Sequence, residues 1–220
     1  MKEVITAIRN GDRKSVEDAL SQDPTLAHGR DENGVSLICL AIYHGQNEIA
    51  NLLAENRDDL DIFEATVIDN AERVQQLVVA NPELVNAYSP DGFHPLGYAC
   101  FFGRLKTFDV LISAGADLEA PVKNAMRVRP LHSAVAHSDR DAALVLARRL
   151  LELGASTNVV QHGGFTPLHE AALRGHVDLV QLLLDHGADP KAHDDSGKTP
   201  LELARDKCHT VLAELMESAI

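Results

Sequence analysis

Apolar side chains between residues 166 and 190 fall into two helical runs separated by a breaker. Val177, Val180, Leu183 and Leu184 share one helical face, and Gly187 stops that helix. Ahead of them, Thr166 is placed to cap a helix and Pro167 suits its first position. Ala171 and Ala172 are small enough for a second helix to approach closely, and Gly175 tolerates the left-handed backbone that ends a helix. Asp189 and Pro190 begin a turn. The pattern predicts a helix–turn–helix–hairpin unit whose apolar faces point toward neighbours it does not contain. One such unit cannot bury its own core, so the chain must supply others.

The opening glycine of the unit recurs at Gly34, Gly92, Gly164 and Gly197. The last spacing is 33 residues (197 − 164), and the one before it, 72 (164 − 92), leaves room for two units with insertions. The unit without a glycine opens near Arg127, ahead of Val128-Arg129-Pro130-Leu131-His132. The string Thr166-Pro167-Leu168-His169, followed by Glu170-Ala171-Ala172 and Gly175-His176, resembles the ankyrin repeat, whose period is about 33 residues. Five units carry the opening pattern in register. Two degenerate ones, at residues 4–12 and 62–70, keep only the helices. The resemblance implies one all-α domain over residues 1–220, an ankyrin-repeat solenoid of stacked helix-turn-helix units with short β-hairpin loops. Its units span about 1–33, 34–59, 60–91, 92–126, 127–163, 164–196 and 197–220.

In chain order, the first half reads as a tandem copy, because Pro24 and Gly34 return as Pro82 and Gly92, each 58 residues on (82 − 24 and 92 − 34). The unit at 34–59 is shortened. It ends in Glu55-Asn56-Arg57-Asp58-Asp59, which predicts a compact link and an acidic, exposed patch. In the unit at 92–126, His94 replaces the capping Thr, so a less tightly bonded helix start is expected, and the following hairpin is two residues longer than its counterpart before Gly197. The next unit has four extra residues around Ser138-Asp139-Arg140-Asp141, which predicts an added helical turn. Glu214 and Glu217 on the final helix suit a terminal unit with one polar face.

Hydrophobic residues make up 45% of the chain, with no Trp and 4% aromatic, which fits Leu, Ala and Val stacking between helices. The formal charge of −13 argues against nucleic acid or an anionic membrane and favours a protein partner whose surface is neutral or basic. Cys39, Cys100 and Cys208 are odd in number and far apart, which predicts reduced, buried thiols and no disulfide framework. No apolar run reaches membrane-spanning length and the N-terminus lacks a signal-peptide core, so a cytoplasmic protein is expected; the oligomeric state is left open, with a monomer favoured.

The resemblance places the binding surface on hairpin tips and the first helix of each unit, along a concave face. The residue after the opening position and the two before the inter-helix turn should look outward. Here these are Val35, Tyr43 and His44; Val67 and Ile68; Phe93, Phe101 and Phe102; Val128, Ala136 and His137; and Phe165, Leu173 and Arg174. The set is apolar for positions the core does not need, and its aromatic members have the makings of a protein-binding hot spot.

Eleven histidines invite catalytic or metal readings that the spacing does not support. The resemblance gives His132 and His169 a structural hydrogen bond to backbone or to Thr166. His169-Glu170 opens like a zinc-protease helix, but residue 173 is Leu, not a second His. Gly197-Lys198-Thr199 mimics the end of a phosphate loop, yet Ala192 stands where its first glycine belongs and Asp194-Asp195 would repel phosphate. Cys208 and His209 read as neighbours on one helix, where they would point to different faces, so no nucleophile–base pair is expected. No cofactor is implied. The sequence reads as a non-catalytic module that binds a partner protein, as adaptor or inhibitor. A self-associating structural solenoid and an enzyme stand as alternatives.

Overall fold

The first N–H groups of a helix lack intrahelical acceptors, and this chain supplies acceptors from its loops. Ser36, Asp61, Thr166 and Thr199 each accept from a backbone N–H in the first turn of the helix that follows. Asp12, Asn70 and Asp139 do the same for the second helix of their units. Removing such a cap costs about 1 kcal/mol.

The computed structural model describes residues 1–55 and 57–218. Among them the helices pair in sequence: α1 (Lys2–Asn10) with α2 (Arg13–Gln22), α3 (Leu37–Tyr43) with α4 (Asn47–Ala54), and α5 (Ile62–Val67) with α6 (Ala71–Ala80); α7 (Pro95–Phe101) and α8 (Leu105–Ser113) follow in the chain. Then come α9 (Pro130–Val135) with α10 (Arg140–Glu152), α11 (Pro167–Arg174) with α12 (Val177–Asp185), and α13 (Pro200–Asp206) with α14 (Thr210–Ser218). Three short 3-10 turns, Pro24–His28, Pro82–Asn86 and His162–Gly164, lie in the connections.

Backbone packing divides the chain into two compact units, one of Met1–Ala99 with Lys106–Ala116 and one of Cys100–Leu105 with Asp117–Ile220. In the first, α3 packs on α1, α4 and α5, and Ile8, Leu37, Ile38, Ile49 and Leu53 are essentially fully buried. Each such side chain contributes about 1.5–3 kcal/mol of hydrophobic stabilisation. In the second, α11 packs on α9, α12 and α13, and Ala143, Ala147, Ala171, Ala172 and Ala204 are buried, letting the helices approach.

The tandem copy extends to atomic detail. Asp12 and Asn70 cap equivalent helices 58 residues apart (70 − 12), and Asp23 and Asn81 cap equivalent 3-10 turns at the same offset (81 − 23). The helix α10 has 13 residues against 9 in α12, the added turn that the four extra residues supply.

Three expectations are corrected. The loops carry no β-ladder: the only bridge among the described residues is Arg30–Ser36. Each loop is closed by a backbone bond such as Asp31 N–H to Val35 O (2.8 Å), Ser89 N–H to Phe93 O (2.8 Å) or Asp194 N–H to Lys198 O (2.9 Å). The link after α4 is not simply an acidic, exposed patch. Asp58 and Asp59 are exposed and Asn56 lies outside the described residues, but the Arg57 side chain turns inward and is only 7% exposed. Its guanidinium pairs with buried Glu64 (3.1 Å) and donates to Ala27 O (2.9 Å), replacing an absent hairpin by a polar staple. Finally, the start of α7 is bonded after all: His94 is fully buried and its Nδ1 accepts from Gly97 N–H at 3.1 Å, so an imidazole does the work of the missing Thr hydroxyl.

Candidate partner-binding surface

In the first unit, the Ser89–Phe93 loop is set by Gly92, whose φ of 85° a side-chain-bearing residue rarely adopts. The Ser89 hydroxyl accepts from Phe93 N–H (3.0 Å) and donates to Asp91 Oδ1 (2.5 Å). Two phenols converge on the same carboxylate: Tyr98 donates to Oδ1 at 2.6 Å and Tyr43 to Oδ2 at 2.5 Å. Tyr98 is buried, whereas Tyr43 is 36% exposed. Phe93 stacks on Tyr98 with centroids 5.1 Å apart and planes 4° from parallel. Tyr43 and Phe63 meet Tyr98 edge-on, each at 6.2 Å. Burial, with hydrogen bonding to Asp91, pushes both phenols' pKa upward, so they stay protonated donors. Burial likewise pushes the nearby Cys39 thiol up to about 12, which removes it as a nucleophile near neutrality. Cys100 is buried as expected, but Cys208 is exposed, because it lies in the turn between α13 and α14 with φ of 60° and not on a helix.

The other positions expected on this face of the first unit divide. His44 is exposed and Ile68 half-buried. Val35 and Val67 do not look outward. Val35 lines a small hollow with Cys39 and Phe63. Val67 is fully buried because α5 has six residues against eight in α11, which turns it onto the core side.

In the second unit, Phe101 is 39% exposed and lies perpendicular to half-buried Phe102, centroids 5.0 Å apart. His137 is half-buried; its ring lies over Gly103, where an added Cβ would come within 2.6 Å, and its Nδ1 accepts from Asp139 N–H (3.1 Å). Val128 and Ala136 are half-buried, as are Phe165, tilted over His169 at 5.4 Å, and Leu173. Arg174 is exposed and paired with Glu170 at 2.5 Å.

His132 and His169 are structural. Nδ1 of His169 accepts from Thr166 N–H (3.1 Å) and from the Thr166 hydroxyl (2.8 Å). That leaves the proton on Nε2, which donates to Lys198 O in the next loop at 3.2 Å. His132 repeats this, accepting weakly from Arg129 N–H (3.4 Å) and donating to Phe165 O (3.1 Å). Burial lowers both pKa values, that of His132 to about 4. Among the described residues no group of three or more His, Cys, Asp or Glu is placed to hold a metal ion, and no helix is long and apolar enough to cross a membrane.

Sequence reasoning passed over Asp91 and Tyr98 as surface-organising residues. A signal was present: at the 58-residue offset, Asp91 and Tyr98 stand where the first copy has Asn33 and Leu40.

Paired helices joined by glycine turns and linked by imidazole-to-loop bonds define a helical-repeat protein. The profile described as ankyrin repeats (many copies) matches residues 150–204. XBAT34 of Arabidopsis thaliana is 49% identical over 77 residues, covering 34% of this chain and 20% of that protein. The ARF GTPase-activating protein GIT2 of Rattus norvegicus is 44% identical over 87 residues, covering 39% of this chain and 11% of that protein. Git of Drosophila melanogaster, also described as an ARF GTPase-activating protein, is 40% identical over 93 residues, 42% of this chain and 12% of its own length. The matched segments thus span a fifth or less of these relatives. Residues 150–204 match ankyrin repeats, the helices of the described residues pair as such repeats do, and such repeats are generally protein-binding modules.

Proposed function

We propose that this chain is a non-catalytic binding module that engages a neutral or basic partner protein through its loop tips and first helices, as adaptor or inhibitor. The observation that carries this reading is the Phe101–Phe102 pair, two consecutive rings at the end of a first helix with Phe101 39% exposed. Large, partly exposed rings at positions that another repeat fills with Leu173 and Arg174 are suited to anchor a partner.

The test is partner capture on the immobilised chain, compared with a Phe101→Ala/Phe102→Ala variant. Binding should weaken about 30-fold or more, since an anchor of this kind contributes about 2 kcal/mol. The thermal midpoint should hardly move. A large fall in stability would instead assign the rings to the core.

A further inference from the structure

The tandem copy provides an internal comparison. Moved on by 58 residues, Asn33, Val35 and Leu40 fall on Asp91, Phe93 and Tyr98. The loop backbone is the same in both copies: the closing bonds are both 2.8 Å, and Gly34 and Gly92 have φ of 82° and 85°. The fold is therefore built in the first copy without these three side chains. In the second copy they assemble a carboxylate framed by rings, completed by Tyr43 from the first. Charge is uneven too. The first unit has eight Lys and Arg against eighteen Asp and Glu, a formal −10, while the second has twelve against fifteen, −3.

We propose that this face of the first unit seats an arginine side chain on a basic segment of the partner, an inference that rests on the protein-binding reading above. Three hydroxyls hold the Asp91 carboxylate in place, so it need not reorganise on binding. The Tyr43 ring beside it, 36% exposed, offers a face on which a planar guanidinium stacks close to the carboxylate's charge. An ammonium has no plane to lay on the ring, so arginine is favoured over lysine. The hollow behind Asp91 is about 10 Å³, room for roughly one water, so the guanidinium lies on the surface and not in a pocket. Arg30 lines that hollow, but its guanidinium is engaged by Asp61 and by Gly34 O, each at 3.1 Å.

Fluorescence anisotropy of labelled hepta-arginine against the full chain, at about 50 and about 300 mM salt, tests this. Asp91→Asn and Tyr43→Leu should each weaken binding about tenfold, and Glu152→Gln, an exposed charge-matched control in the second unit, less than about twofold. Hepta-lysine should bind about fivefold more weakly than hepta-arginine. No binding to the native chain, equal binding of the two peptides, or equal loss in all three variants would overturn the inference. If Asp91→Asn unsettles its loop, Tyr43→Leu, which trims a half-exposed ring, carries the test alone. Partner capture through Phe101 and Phe102 is read separately, so the two readings fail separately.

Discussion

Asp69 caps a helix it does not belong to: its Oδ1 accepts from both the N–H (2.9 Å) and the hydroxyl (3.1 Å) of Thr107, 38 residues on in the first turn of α8. The position explains an oddity of the backbone. Helices α1 and α11 end on Gly11 and Gly175, with φ of 70° and 72°, yet Asp69 has φ of 59° at the equivalent place after α5. A left-handed residue with a side chain costs about 1 kcal/mol, and the shared cap offsets that cost.

Asp69→Ala keeps the backbone strain and loses the cap, so it should destabilise the protein by about 2 kcal/mol in denaturant titration. Asp69→Asn keeps an acceptor and tolerates the left-handed region, and should cost less than about 0.5 kcal/mol. Equal effects of the two would show that the carboxamide oxygen cannot serve and that charge decides.

The buried imidazole of His132 makes stability depend on pH. Its folded pKa, lowered to about 4 by burial, lies below the ordinary value of about 6.5. The neutral form is thus favoured by folding. This contribution is complete above pH 6.5 and is lost as pH falls from there toward 4. Between pH 7 and pH 5 the loss from His132 should be about 2 kcal/mol. His169, shifted in the same direction, adds to it. His132→Gln should lower stability at pH 7 and flatten the slope in this window. An unchanged slope would mean that His132 titrates normally.

Arg57 and Glu64 form a pair whose side chains are 7% and 3% exposed. Removing one partner from such a pair costs about 3 kcal/mol, chiefly through the charge left behind. Arg57→Met should therefore unfold the protein at markedly lower denaturant, and adding Glu64→Gln should restore at least half of the loss. Gln retains an acceptor for Asp61 N–H, which Glu64 Oε2 holds at 3.1 Å. No recovery in the double variant would show that the bond from Arg57 to Ala27 O matters more.

What could be read from residues alone was whatever repeats. Thr166, Pro167, His169 and Gly175 each have a local reason for their place, and the structure gives each that role. Insertions were legible as lengths, hence the added turn of α10. Single substitutions in degenerate units were not. Nothing local says that Arg57 turns inward, because its partners Glu64 and Ala27 meet it only after α3 and α5 have packed. Val67 was misplaced because the turn after α5 comes early, and a turn closed by Asp69 carries no glycine to mark it. Asp91 lay hidden for a related reason: hairpin acids look alike in a string of letters, and its phenol neighbours come from two different repeats.

The bonds from His132 to Phe165 and from His169 to Lys198 also determine how the molecule can be cut. A fragment trimmed at the end of α10 or α12 leaves an imidazole proton with no carbonyl to receive it. The smallest excisable pieces therefore run from loop to loop, with sound C-terminal cuts after residue 165 or 198, and shortened or grafted versions should keep the opening residues of the next repeat as a closing edge.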